Sequence, residues 1–381
     1  MIVAVPKEQS KNESRVAATP GTVKELIKDG AKVLVESGAG EASFISDKEY
    51  EKAGSTIITD SKELLSKGNV IIKVLAPTLD QIVHLQPKSV LISFCQTSRE
   101  LDTVKALREQ SVTGFSMHLI PRTTLAQKMD ALSSQANIAG YKAVLMAANK
   151  LGVYMPLLMT AAGTIRPAKI LVLGAGVAGL QAIATAKRLG AQVEAFDVRP
   201  AVKEQVESLG AKFIEVSSDT SEGEGEGEGE GGYAKETSEE YKKLQQKLIH
   251  SHIIKADAVI TTALIPGRSA PVLIPSSMVE EMKPGSVIID LAAENGGNCE
   301  LTKVDESISF NGIEIDGTSN IPGTMPVHAS ELYSKNVAAL LAYMTVDGEL
   351  NLDLEDEIIS GSMYTHLGEI TNSSTKEALE Q

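Results

Sequence analysis

Lys169–Arg199 reads KILVLGAGVAGLQAIATAKRLGAQVEAFDVR, and the fold is decided there. A short apolar run is followed by closely spaced glycines, an alanine-rich helical stretch and a second apolar run that ends on an acid. Each part has a physical reason in a strand–turn–helix–strand unit. Gly174 permits the tight turn out of the strand. Gly176 carries no side chain, so backbone can approach a pyrophosphate. Gly179 lets the helix lie close to the sheet. The first N–H groups of the helix have no partner within it and attract an anion. Asp197 stands 23 positions after Gly174 and 18 after Gly179, where a carboxylate accepts hydrogen bonds from adenosine ribose hydroxyls. The unit predicts a dinucleotide site; a tight structural turn without a ligand is the competing reading.

Outward from this stretch, 381 residues suffice for two domains, and a 43% hydrophobic composition gives each a core. The net charge of −14 argues against a nucleic-acid surface. Cys95 and Cys299 stand far apart without metal-ligand spacing, which fits a reducing compartment. No metal site is expected: His250 and His252 lie two apart on a helical stretch, and His118 and His328 lack metal spacing. The opening MIVAVPKEQSKNESR has too short an apolar run for a secretion signal. No apolar run reaches the roughly 18 residues that a membrane span needs.

The first third alternates strand-like runs (MIVAV, AKVLVE, TIIT, NVIIKV, SVLISF) with amphipathic segments such as TPGTVKELIKDG and SRELDTVKALREQ. Strand alternating with helix predicts a parallel sheet covered on both faces. SSQANIAGYKAVLMAANK reads as a longer helix capped by Ser133 or Ser134. After the glycine turn, AKFIEV, ADAVITTA, SVIIDLA and GIEIDG continue a second sheet. Asp290, at the end of one of these strands, reads as a cap or turn residue at least as readily as a ligand. Beyond Pro322 the pattern becomes helical. The expected architecture is α/β: two Rossmann-like, doubly wound parallel-sheet domains with a cleft between them. Residues 1–132 and 319–381 form the first, and 133–318 form the second with a mobile loop at 217–236. Ser221–Gly232, SEGEGEGEGEGG, is a low-complexity tract that cannot bury apolar surface.

Longer blocks carry a resemblance. LAQKMDALSSQANIAGYKAV, LVLGAGVAGLQAIATAKRLGA, VKEQVESLGAKF, GGYAKE, ITTALIPGRSAPVLI and MKPGSVIIDLAAENGGNCE stand in this order across almost the whole chain. They resemble the NAD(H)-binding component of the proton-translocating nicotinamide nucleotide transhydrogenases. The resemblance implies hydride transfer from NADH on this subunit to NADP+ on a neighbouring subunit, coupled to proton movement through membrane subunits. It further implies a homodimer, in the cytoplasm and peripheral on the inner face of the membrane through partner subunits. By the same resemblance Arg122, Gln127, Asp130 and Ser133 position the nicotinamide end, with Arg122 and Asp130 able to pair. Leu125 departs from the family, which has a polar residue there. Val177, Asp197, Val198, Arg199, Gly232, Tyr233, Gln245 and Leu264 match cofactor-contact positions, with Tyr233 as a lid over the ligand. Asp197 favours NAD(H) over NADP(H). Arg199 leaves two roles open: a nearby arginine can take a 2′-phosphate, or it can stack on adenine or pair with an acid.

The blocks are shared with alanine dehydrogenase, in which an arginine and a lysine bind the amino or keto acid and a histidine exchanges the proton. Arg15 and Lys73 match the first two, with a retained ion pair as the alternative reading. Gln96 stands in place of the histidine, and an amide cannot exchange a proton near neutral pH. Two further readings stay open: an alanine-dehydrogenase-like amino-acid oxidoreductase, and a non-catalytic NAD(H)-binding regulator.

Overall fold

The computed structural model describes residues 1–216, 239–265 and 268–380. They divide into two compact units, one formed by Met1–Gln135 with Pro322–Gln381 and the other by Ala136–Ile321.

The first unit is built on an eight-stranded sheet. Its parallel strands run Thr56–Ile58, Lys32–Glu36, Ile2–Val5, Val70–Ile72, Val90–Ser93 and Thr113–Ser116 from one edge inward. In chain order this is 3-2-1-4-5-6, the doubly wound Rossmann order. Alternate side chains serve opposite faces. Val3, Val33, Val70, Ile72 and Ile92 enter one layer with Tyr333, Val337 and Leu340 of the helix Pro326–Tyr343. Ala4, Leu34, Ile71 and Leu91 enter the other, with Leu64 and Leu65 of Ser61–Lys67 and Val104 and Leu107 of Leu101–Glu109. Both faces are covered, so these strands read as unbroken apolar runs.

The carboxy-terminal segment is less helical than its sequence suggests. After Pro326–Tyr343 it adds Met363–His366 antiparallel to Thr113–Ser116, and then Glu369–Ile370 at the edge. Neither TGFS nor MYTH has the apolar pattern of a strand. Gly114 is needed for close approach: a Cβ there would lie 2.5 Å from the Tyr364 ring.

The second unit repeats the layout. Its seven strands run Lys212–Phe213, Gln192–Phe196, Lys169–Leu173, Ala258–Thr261, Val287–Asp290, Ile313–Asp316 and Ser307–Phe310; the last is antiparallel and the rest are parallel. Ile170, Val172, Ile260 and Ile289 pack against Ala182, Ile183 and Ala186 of the helix Val177–Arg188, and against Ala143, Val144 and Ala147 of the helix Ala131–Lys150. Leu171, Leu173, Val259 and Ile288 pack on the opposite face with Ile249 and Ile253 of Glu239–Ile253. Strand order reverses between Lys169–Leu173 and Ala258–Thr261. In open α/β sheets the ligand crevice lies outside the carboxyl ends of the strands at such a point.

Candidate functional site

At that crevice Gly174 takes a φ of +100°, which only glycine adopts without strain. A Cβ on it would stand 2.5 Å from Thr262 Oγ1, so the turn is also closed by the next strand. A Cβ on Gly179 would meet the Gly174 carbonyl oxygen at 1.8 Å, which explains why the helix can lie on the turn only with glycine there. Gly176 is different. A Cβ there would have Arg199 Nη2 at 4.0 Å as its nearest neighbour, so the space before the helix is open. Gly176 is also the N-cap and no side chain caps the helix, which leaves its first N–H groups for a ligand. Val177, at the first helical position, is 41% exposed.

The acid at the end of the second strand is tied into this turn. Asp197 Oδ2 accepts from Ala175 N–H at 2.7 Å. Arg199 donates to the same carboxylate through its backbone N–H, Nε and Nη2, each at 2.9 Å. Val198 packs into the apolar layer beneath. Leu264 is 44% exposed beyond Ala258–Thr261, and Gln245 is buried with no partner for Nε2 among the described residues. Gly232, Tyr233 and the whole of the 217–236 loop lie outside the described residues.

Two residues that organise this crevice are not marked as such by the sequence. Asp290 is fully buried and accepts from Thr261 Oγ1, Thr302 Oγ1 and the backbone N–H groups of Ala292, Asn298 and Cys299. Asn298, also fully buried, accepts from Ala263 N–H and donates to the carbonyls of Ala263 and Pro271. Together they hold the segment after Ala258–Thr261 at the mouth of the crevice. The block ENGGNCE is the available signal; the partners, 27 and 35 positions away, are not legible from it.

In the first unit Arg122 and Gln127 are exposed, and Leu125 is 74% exposed. Their loop is anchored through buried Ala126 and Met129, and by Asn336 Nδ2 donating to the Lys128 carbonyl. The helix expected to begin at Ser133 begins at Ala131. Its cap is Asp130 rather than a serine: Oδ1 accepts from Ser133 N–H at 2.9 Å and Oδ2 from Ser133 Oγ at 2.6 Å. An acid outdoes a serine here because its charge also meets the positive end of the helix. Ser134 donates instead to Asn336 Oδ1.

The residues that match an amino-acid dehydrogenase lie at the carboxyl ends of the first sheet. Arg15 is buried and grips Glu13 with Nε at 2.8 Å and Nη2 at 2.7 Å, while Nη1 donates to Gln135. Lys73 is 1% exposed and pairs with Glu8 at 3.0 Å. Both cations are matched by the chain's own carboxylates, as the ion-pair reading expects. Gln96 is half-buried, its N–H donating to Glu100. Beside them Phe94 packs on His118 and Tyr333. Burial pulls the His118 imidazole down to about 4; the Cys95 backbone opposes this and the Arg15 charge adds to it.

Among the described residues no helix is long and apolar enough to cross a membrane. The chain is 46% identical to an NAD(P) transhydrogenase subunit alpha polypeptide of Rhodospirillum rubrum, over 98% of each chain. Alanine dehydrogenase of Bacillus subtilis is 29% identical over 97% of this chain and 93% of that protein. Among solved structures, the transhydrogenase from Sinorhizobium meliloti superposes with a TM-score of 0.88 at 45% identity, covering 97% of this chain and all of that one. Residues 4–139 match the family described as alanine dehydrogenase/PNT, N-terminal domain, and residues 143–373 match its C-terminal domain. With a doubly wound sheet under each match, the chain belongs to the alanine dehydrogenase/PNT family.

Proposed function

We propose that this chain is the NAD(H)-binding subunit of a proton-translocating transhydrogenase. The observation that carries the reading is end-to-end likeness to transhydrogenase alpha subunits, at 46% identity, in a chain whose second unit holds an open glycine turn. The residues there fit a dinucleotide: Gly176 leaves the helix start uncovered, and Asp197 stands beside it. A bound nicotinamide supplies the hydride-transfer chemistry. The chain supplies placement. The N–H groups at Val177 and beyond receive the pyrophosphate, Asp197 and Arg199 receive the adenosine ribose, and Gln245 and Leu264 line the approach. Arg122, Gln127, Asp130 and Ser133 position the nicotinamide end; this assignment rests on their block resemblance. The hydride acceptor, NADP+, belongs to a partner subunit, and membrane subunits couple the transfer to proton movement. The functional form is a homodimer held at the inner face of the membrane by those partners.

The alanine-dehydrogenase reading is weaker on two observations: Gln96 cannot exchange a proton, and Arg15 and Lys73 are already matched by Glu13 and Glu8. The test is hydride transfer from NADH to thio-NADP+ with a purified NADP-binding partner domain, with and without this chain. Transfer that requires both proteins is expected. Turnover of NAD+ with alanine alone would establish the dehydrogenase instead, and NADH binding without transfer to any acceptor would establish a regulator.

A further inference from the structure

Arg199 lies where a guanidinium can take the 2′-phosphate of NADP(H). In this structure it is committed to Asp197. Backbone N–H and Nε donate to Oδ1, and Nη2 donates to Oδ2, each at 2.9 Å. Ala175 N–H supplies a fourth donor, at 2.7 Å to Oδ2. Four donors on two oxygens use up the lone-pair directions of a carboxylate. The pair is largely shielded, with side-chain exposures of 18% for Arg199 and 6% for Asp197. A ribose diol therefore reaches Asp197 only by displacing a donor. Ala175 N–H is fixed by the glycine turn, whereas the guanidinium sits on a rotatable stem and is the donor that can yield.

We propose that Asp197 sets cofactor choice in two ways: its charge repels a 2′-phosphate, and it withholds Arg199 from that phosphate by holding it in a bidentate pair. Acceptance of NADP(H) is then latent, released by neutralising position 197 while Arg199 is kept. The inference rests on the reading that the second unit binds NAD(H), and it names Arg199 as the residue that would carry the altered specificity.

The test titrates the full-length chain with NADH and with NADPH, following nucleotide fluorescence. Wild type, Asp197→Asn and Asp197→Asn with Arg199→Ala are compared. Asparagine keeps an acceptor for Ala175 N–H, so the turn is preserved; Asp197→Ser, with and without Arg199→Ala, serves if circular dichroism shows the first variant unfolded. The expected result is wild type preferring NADH, a gain of about tenfold or more in NADPH affinity on Asp197→Asn, and loss of that gain when Arg199 is also removed. No gain in a folded Asp197 variant, or a gain that survives Arg199→Ala, overturns the proposal. Wild type that binds neither nucleotide would overturn the NAD(H) reading itself, a distinguishable outcome.

Discussion

His118 shows how far one buried side chain can set the acid tolerance of a unit. Its Nδ1 is buried without a hydrogen-bond partner among the described residues, so a second proton has nowhere favourable to sit. The imidazole, pulled down to about 4 by burial, stays neutral in the native chain, while an unfolded chain protonates it near 6.5. Between those values the unfolded state binds more protons, so native stability falls as pH drops from 6.5 toward 4. From pH 7 to pH 5 the first unit is expected to lose roughly 1–2 kcal/mol through this group. His118→Leu should flatten that slope in urea unfolding measured at both pH values; an unchanged slope would show that the ring opens to water. Asp130 is the second residue of consequence. Asp130→Ala removes both contacts to Ser133 and should cost about 1 kcal/mol in unfolding free energy. It should also slow NADH-to-thio-NADP+ transfer more than it weakens NADH binding; equal effects on the two would make it a cap alone.

At the scale of elements, the helix Ala131–Lys150 meets the helix Val177–Arg188 through one glycine. A Cβ on Gly140 would stand 2.0 Å from the Ala178 carbonyl oxygen, beside the open helix start. Gly140→Ala must push the two helices apart, at a cost of roughly 1–3 kcal/mol, and should weaken NADH binding severalfold. Gly152→Ala is the control, since a Cβ there meets nothing within 4 Å. Equal NADH affinity in both variants would show that the turn tolerates the shift. The glycine turn itself is legible in the sequence because its requirements are local: φ at Gly174 and close approach at Gly179 follow from spacing within one strand–helix unit. Asp130 as cap is hidden because two serines follow it closely and hydroxyls are common caps. Asn298 is illegible because its work is done through backbone groups of a distant loop, which no periodicity marks.

At the scale of the whole chain, the carboxy-terminal segment completes the first sheet. A chain ending at Ser362 loses Met363–His366, the Tyr364 ring packed against Gly114, and the edge strand Glu369–Ile370. Thr113–Ser116 then becomes an uncovered edge beside an opened core, and such edges template aggregation. The truncated chain should elute largely as aggregate in size-exclusion chromatography; a monodisperse product would make the tail dispensable. Strand–helix alternation makes both sheets legible in outline. The terminal strands are not, because four-residue runs such as TGFS and MYTH acquire their meaning only when paired.

The first sheet has the same strand order as the second, but its first strand leads into Pro6, Lys7 and Glu8 where the second leads into glycines. Proline offers no N–H, and the Glu8 carboxylate accepts from Val74 N–H at 2.7 Å just past the fourth strand. There the polypeptide provides from its own sequence the anion that the other unit leaves to be supplied from outside. The consequence is a stoichiometry: a molecule with two nucleotide-type folds should bind one dinucleotide per chain, because the first crevice is already satisfied by Glu8 and Lys73.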